Sequence, residues 1–213
     1  MRADDTDCFI CAAGHCPPEL IPWYDRPLIH EPEVGTVIGA VGALVPGYVI
    51  VAPIMHTRSI RDLPKGKRSE LLRLLDAVRS RIERHYGPAT IFEHGSCREL
   101  EGRRPACVAH SHVHVVPGKY GLAQTAPQFT AFDSLEGMLA AADSGRGLSY
   151  LMFQEPGEPV HFAADPGVSQ FFRRHIAAAL GEADAWDYAA VPRWDNIRET
   201  QRTLAGQSAE CSH

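Results

Sequence analysis

The sequence predicts an α+β protein: an antiparallel sheet with one long helix packed on it, followed by a C-terminal α/β extension. Three observations carry this. Short β-branched runs punctuated by glycine and proline fill residues 28–53. A single clean amphipathic stretch runs from Lys67 to His85, with Leu71, Leu74, Leu75, Val78 and Ile82 on one stripe. Beyond the Gly- and Pro-rich stretch 117–127, helical and strand-like patterns alternate again. With 213 residues, 45% hydrophobic and 22% charged, the chain can hold a core at 1–120 and an extension at 121–213 packed on it.

Residues 1–20 hold Cys8, Cys11, Cys16 and the Pro17-Pro18 pair, and lack a period, so they predict a loop-like knuckle. Leu28-Ile29, Thr36-Val37-Ile38 and Tyr48-Val49-Ile50-Val51 predict strands, with Pro46-Gly47 turning into the last. The long helix stops at Gly87-Pro88. Strands follow at Thr90-Ile91-Phe92 and from Cys107 to Val116. In the extension, the pattern predicts a helix over 131–142, strands at 148–153 and 160–162, a helix from Val168 to Leu180, and a short helix over 196–204. Trp186 and Trp194 are suited to docking the tail on the core. Gln170, Arg173 and Arg174 are within reach of one helix face, where Arg suits phosphate; a solvated surface is the more ordinary place for them.

Charge excludes one function class. Lys plus Arg total 21 and Asp plus Glu 26, a net charge of −5, whereas non-specific nucleic-acid binding needs a basic excess. The stretch from Arg58 to Arg84 does carry nine basic and four acidic residues, the pattern of a solvated helix face, with a phosphate-attracting surface as the alternative. The acidic start Met-Arg-Ala-Asp-Asp-Thr-Asp has no apolar run after it. The expectation is therefore a cytoplasmic protein with no membrane or nucleic-acid partner, its thiols reduced rather than paired in disulfides.

Eleven His and six Cys stand out. The decisive run is His110-Ser111-His112-Val113-His114-Val115-Val116-Pro117. In a strand, His110, His112 and His114 share one face, spaced roughly 7 Å apart. Ser111, Val113 and Val115 take the other, suited to packing on a helix. Three imidazoles in a row are poor core material, because each ring carries two nitrogens that need partners. They fit two chemistries. One is a catalytic metal held jointly by His110, His112 and His114. The other is nucleophilic attack by a neutral imidazole on phosphorus, assisted by its neighbour.

The run resembles the signature of the histidine triad (HIT) family, His-φ-His-φ-His-φ-φ with φ apolar, Ser111 departing at the first φ. Upstream, the segment from Val45 to His56 resembles the family's strand–Pro–x–x–His element, and Ser59-Ile60-Arg61-Asp62-Leu63 its entry into the long helix. The similarity spans roughly Cys8 to Pro117 in the right order. It implies a HIT-like sheet and a nucleotide hydrolase or nucleotidyl transferase acting at an α-phosphate. By position, His112 is the nucleophile and His114 assists at the phosphate and leaving group. The substrate is then a nucleotide or nucleotide conjugate, and the family commonly forms homodimers. A zinc-stabilised nucleotide-binding module is the non-enzymatic alternative.

Cys8-Phe9-Ile10-Cys11 has the thiol spacing used for zinc, and is weak evidence alone. The resemblance supplies two further ligands, His56 and His110, giving a structural Cys2His2 zinc site. His15 and Cys16 read as bystanders. The family's usual Asn-x-Gly and Gly-Gln-Ser/Thr elements are missing. Phe92-Glu93-His94-Gly95-Ser96 and Pro105-Ala106-Cys107-Val108-Ala109 stand there instead, and the Glu-His-Gly wording resembles a less-studied branch. Glu93, His94, Gly95, Ser96 and Cys107 are accordingly the candidate substrate-binding residues. Glu93 is better suited to orienting a histidine than to meeting a phosphate, since two anions repel.

Overall fold

The computed structural model describes residues 8–95, 110–125, 128–141 and 149–205. Its strands are β1 (Ile29–Glu31), β2 (Gly35–Gly39), β3 (Val49–Pro53), β4 (Ala89–Gly95), β5 (Val113–Pro117), β6 (Thr130–Phe132), β7 (Tyr150–Gln154) and β8 (Val160–Ala164). Helices are α1 (Phe9–His15), α2 (Lys65–Tyr86), α3 (Leu135–Ala141), α4 (Phe171–Ala179) and α5 (Trp194–Ala205). The α+β expectation holds, and all eight strands join one antiparallel sheet, in the order β1-β2-β3-β5-β4-β7-β8-β6.

Side-chain alternation along each strand divides the core in two. On one face, Val37, Val49, Val51, Ile91, Val113, Val115 and Met152 meet Leu71, Leu74, Leu75, Val78 and Ile82 of α2, the stripe read from the sequence. Burying each such leucine or valine is worth about 1.5–3 kcal/mol over leaving it in water. On the opposite face, Ile38, Ile50, Phe92, Val116, Leu151 and Phe153 meet Ile10 and Ala13 of α1 and Phe171, Phe172 and Ile176 of α4. The sheet is thus covered by helices on both sides.

The extension continues the sheet of the core. Strand β7 pairs with β4 over five residues, from Ile91↔Gln154 to Gly95↔Tyr150. Glu155, wholly buried, clasps the two parts from the end of β7 by accepting from the backbone N–H groups of Tyr120, Gly121 and Leu122. No helix among the described residues is long and apolar enough to cross a membrane.

Three local expectations are corrected. Residues 9–15 form a helix, because Ile10 and Ala13 sink into the core beside Ile38 and Ala40. The expected helix over 131–142 divides into β6 and α3, with Thr130–Phe132 recruited by β8. Strand β5 begins at Val113, so among the three histidines only His114 lies within the ladder. Residues 107–109, expected to open that strand, lie outside the described residues.

Candidate active site and metal centre

The turn into β5 sends the histidines to different tasks. His110, 1% exposed, turns toward α1 and the segment after β3. Its Nδ1 lies 3.5 Å from Cys8 Sγ and 3.4 Å from Cys11 Sγ, while His56 Nδ1 is 3.1 Å from Cys11 Sγ. Helix α1 sets the thiols: Cys8 caps it and Cys11 sits on its buried side. The four ligand atoms of Cys8, Cys11, His56 and His110 all lie within 4.8 Å of one another, and among the described residues no second such group occurs. This cluster can bind a metal ion.

The donor set supports that fit. His110 donates its Nε2–H to the Pro53 carbonyl at 2.8 Å, which fixes the tautomer and leaves the Nδ1 lone pair aimed at the thiols. A tetrahedral ion with about 2.3 Å bonds to sulfur and 2.0–2.1 Å bonds to nitrogen would set S···N separations near 3.6 Å. The separations of 3.1–3.5 Å seen here require only small adjustments. Cys16 is exposed.

His112 and His114 stay on the other side of this turn, their rings 4.7 Å apart. His112 donates Nδ1–H to the His110 carbonyl at 2.8 Å, so its lone pair is on Nε2. His114 is sandwiched: Phe92 of β4 stacks on it at 4.2 Å, and the Tyr48 hydroxyl lies 2.8 Å from its Nδ1. Burial lowers the pKa of His112 below the ordinary histidine value, with the charge of His94 adding to the effect. Burial holds His114 well below it, reinforced by His112, Arg173 and His94. Both rings are therefore neutral at neutral pH, the form in which imidazole is nucleophilic.

Neighbouring positions on β4 fall on opposite sides of the sheet. His94 shares the face of Phe92 and the imidazole pair, and its Nε2 meets Asp165 Oδ2 at 3.0 Å. That carboxylate comes from the segment after β8, where it also accepts from Gly167 N–H. Glu93 and Gly95 point toward α2. Glu93 does not orient a histidine: Oε1 accepts from Ile60 N–H at 3.0 Å and Oε2 from the Tyr150 hydroxyl. Gly95 makes room for Tyr150, whose ring would stand 2.2 Å from any Cβ there. Ser96 and Cys107 lie outside the described residues.

Burial raises the Glu93 carboxyl to about 7, despite the opposing hydrogen bonds from Tyr150 and Ile60. The folded state thus holds a proton that the unfolded chain releases above its ordinary value of 4.5. This contribution to stability is complete below that value and is lost as pH rises through about 7. Glu93→Gln is expected to remove it. Urea unfolding at pH 5 and pH 8 should show a wild-type loss exceeding that of the variant by roughly 1–3 kcal/mol. Equal losses in the two proteins would disprove a neutral buried carboxyl.

Three residues near the imidazoles escaped the sequence reading: Tyr48, Asp165 and, as a buried group, Arg173. The sequence places Tyr48 only as part of a strand; it is wholly buried beside His114. Arg173 is 5% exposed, not a surface cation. Its signal was available, because position 173 precedes Ile176 and Ala177 by three and four residues and so shares their buried arc. Compared with known proteins, the chain matches no family model and no curated protein.

Proposed function

We propose that the protein is a nucleotide hydrolase or nucleotidyl transferase of the histidine triad type, working through a covalent nucleotidyl-His112 intermediate. The observation that supports this best is the commitment of His112 Nδ1–H to the His110 carbonyl, which leaves the neutral ring's Nε2 as the attacking atom. Nε2 attacks the α-phosphorus, a P–N bond forms, and the bond from phosphorus to the leaving oxygen breaks. The departing group leaves with the electron pair of that bond, its developing charge stabilised by a hydrogen bond from the N–H of neutral His114. Water, or a second phosphate, then attacks the same phosphorus; the P–N bond breaks with its electron pair returning to Nε2, a water proton passes to solvent, and the nucleotide leaves a neutral His112.

On this reading the metal is a structural zinc on Cys8, Cys11, His56 and His110. Four protein ligands leave no position for a reacting water, and its contribution is to fold the N-terminus against the turn carrying His110. A catalytic metal shared by His110, His112 and His114 finds less support, because the cluster includes His110 but neither of the others.

The test is a panel of dinucleoside polyphosphates, nucleoside phosphoramidates, adenylyl sulfate and nucleotide sugars, with and without added phosphate, followed by mass spectrometry. Turnover should be accompanied, on acid-free denaturing quench, by a nucleotidyl mass on the peptide containing His112. Binding without turnover of any member would instead indicate a nucleotide-binding module.

A further inference from the structure

Helix α4 places a permanent positive charge deep beside Tyr48, within electrostatic reach of His114. Arg173 donates Nε–H to the Trp186 carbonyl at 2.9 Å and Nη2–H to the Gly42 carbonyl at 2.8 Å. Gly42 has φ 72, and a side chain there would collide with both Tyr188 and the guanidinium. These bonds hold the guanidinium carbon 5.7 Å from the centre of the Tyr48 ring. Tyr48 is wholly buried, and its hydroxyl lies 2.8 Å from His114 Nδ1. A guanidinium can only donate and does not lose its proton.

A cation beside a buried phenol orders its dipole: the oxygen turns toward the charge and the hydrogen away from it. Arg173 acts on the Tyr48 oxygen through its charge and a side-chain hydrogen bond, which leaves His114 Nδ1, 2.8 Å away, as the acceptor for the hydroxyl hydrogen. Burial pushes the Tyr48 pKa up while the Arg173 charge acts against this, as expected of a guanidinium near the phenol oxygen.

We propose that Arg173 is a positioning residue which, acting through the Tyr48 hydroxyl, fixes His114 in the tautomer with an acceptor at Nδ1 and the N–H at Nε2. The inference rests on the nucleotidyl-transfer reading for its use, though not for its geometry. His112 is held in the opposite tautomer by the His110 carbonyl. Two adjacent rings then present unlike atoms, a lone pair on one and a hydrogen-bond donor on the other. Transfer at phosphorus needs both: the lone pair to attack, the donor for the oxygen on which charge accumulates. Without Arg173, Tyr48 is free to accept from His114 Nδ1–H, and both Nε2 atoms become lone pairs that compete for the same phosphorus. The C-terminal extension thus sets the chemistry of a ring on β5.

The experiment is nitrogen NMR on the full-length protein labelled at histidine, in the wild type, Arg173→Gln, Arg173→Lys and Tyr48→Phe. Wild-type His114 should show an unprotonated Nδ1 and a protonated Nε2. Arg173→Lys, which keeps the charge, should retain that signature. Arg173→Gln and Tyr48→Phe should shift it toward the Nδ1–H form or a mixture. A wild-type His114 already protonated at Nδ1 overturns the proposal without recourse to any variant, as does an unchanged tautomer in folded Arg173→Gln. Tyr48→Phe leaves both carbonyl bonds of Arg173 in place, so it reads the relay even if Arg173→Gln does not fold. Given a substrate, kcat should fall roughly tenfold to a hundredfold in Tyr48→Phe with KM little changed. The spectra are recorded without substrate. A chain that turns over nothing therefore defeats the functional reading alone, and a wrong tautomer defeats this inference alone.

Discussion

His112→Asn is expected to fold normally and to lose at least about 10³-fold in kcat on any substrate that the wild type turns over. Asparagine keeps a side-chain N–H that can donate to the His110 carbonyl, replacing the bond made by His112 at 2.8 Å. It has no nucleophilic lone pair, because the amide nitrogen is conjugated and the carbonyl oxygen is a poor attacker of phosphorus. The change therefore removes the attacking atom and little else. His114→Ala should be the milder variant, losing on the order of 10²–10⁴-fold as expected for a group that donates rather than attacks. It should also still form the nucleotidyl-His112 adduct, only more slowly. Near-normal turnover by folded His112→Asn would exclude the covalent mechanism.

The second large effect concerns the Cys8–Cys11–His56–His110 cluster. Purified protein should carry about one zinc per chain, and Cys8→Ser or Cys11→Ser should lose it. A ligand that binds only the folded state, at a thousand times its Kd, stabilises by about 4 kcal/mol. In a chain of this size that is roughly 8–16 °C of Tm, the drop expected for either serine variant or after exhaustive chelation. On the proposal that the metal is structural, loss of activity should track loss of structure. Metal-free protein melting at the wild-type temperature would rule out a structural site. Activity that vanishes on chelation while the fold persists would point to a catalytic metal.

The same two groups of residues show what was legible beforehand. The stripe on α2 and the strands around it follow from hydrophobic period alone, because burial repeats every 3.6 or every two residues and leaves that trace in composition. The gathering of Cys8 and Cys11 with His56 and His110 did not follow from period. It rested on a resemblance spanning a hundred residues, and geometry brings the ligand atoms within 4.8 Å. The strand placed through all three histidines was too long, because His110 is drawn to the thiols and Pro53, which bends the chain before β5 can begin. Glu93 and His94 show a different limit. They are adjacent on one strand, and only its register decides which faces the imidazoles and which faces α2. For Arg173, charge points to the surface while position points inward, and the buried arc of α4 runs through it.

The pairing of β4 with β7 has one more consequence. If residues beyond 120 were cut away to isolate a minimal catalytic unit, β4 would become a border strand. Its outward N–H and C=O groups, now taken by Tyr150–Gln154, would be bare along Ile91–Gly95. Ile91 and Phe92 would lie at that border, in the sort of flat apolar template on which chains stack edge to edge. The truncated chain would be prone to self-association before any question of activity arose. The segment after 120 is therefore also this protein's defence against its own sheet.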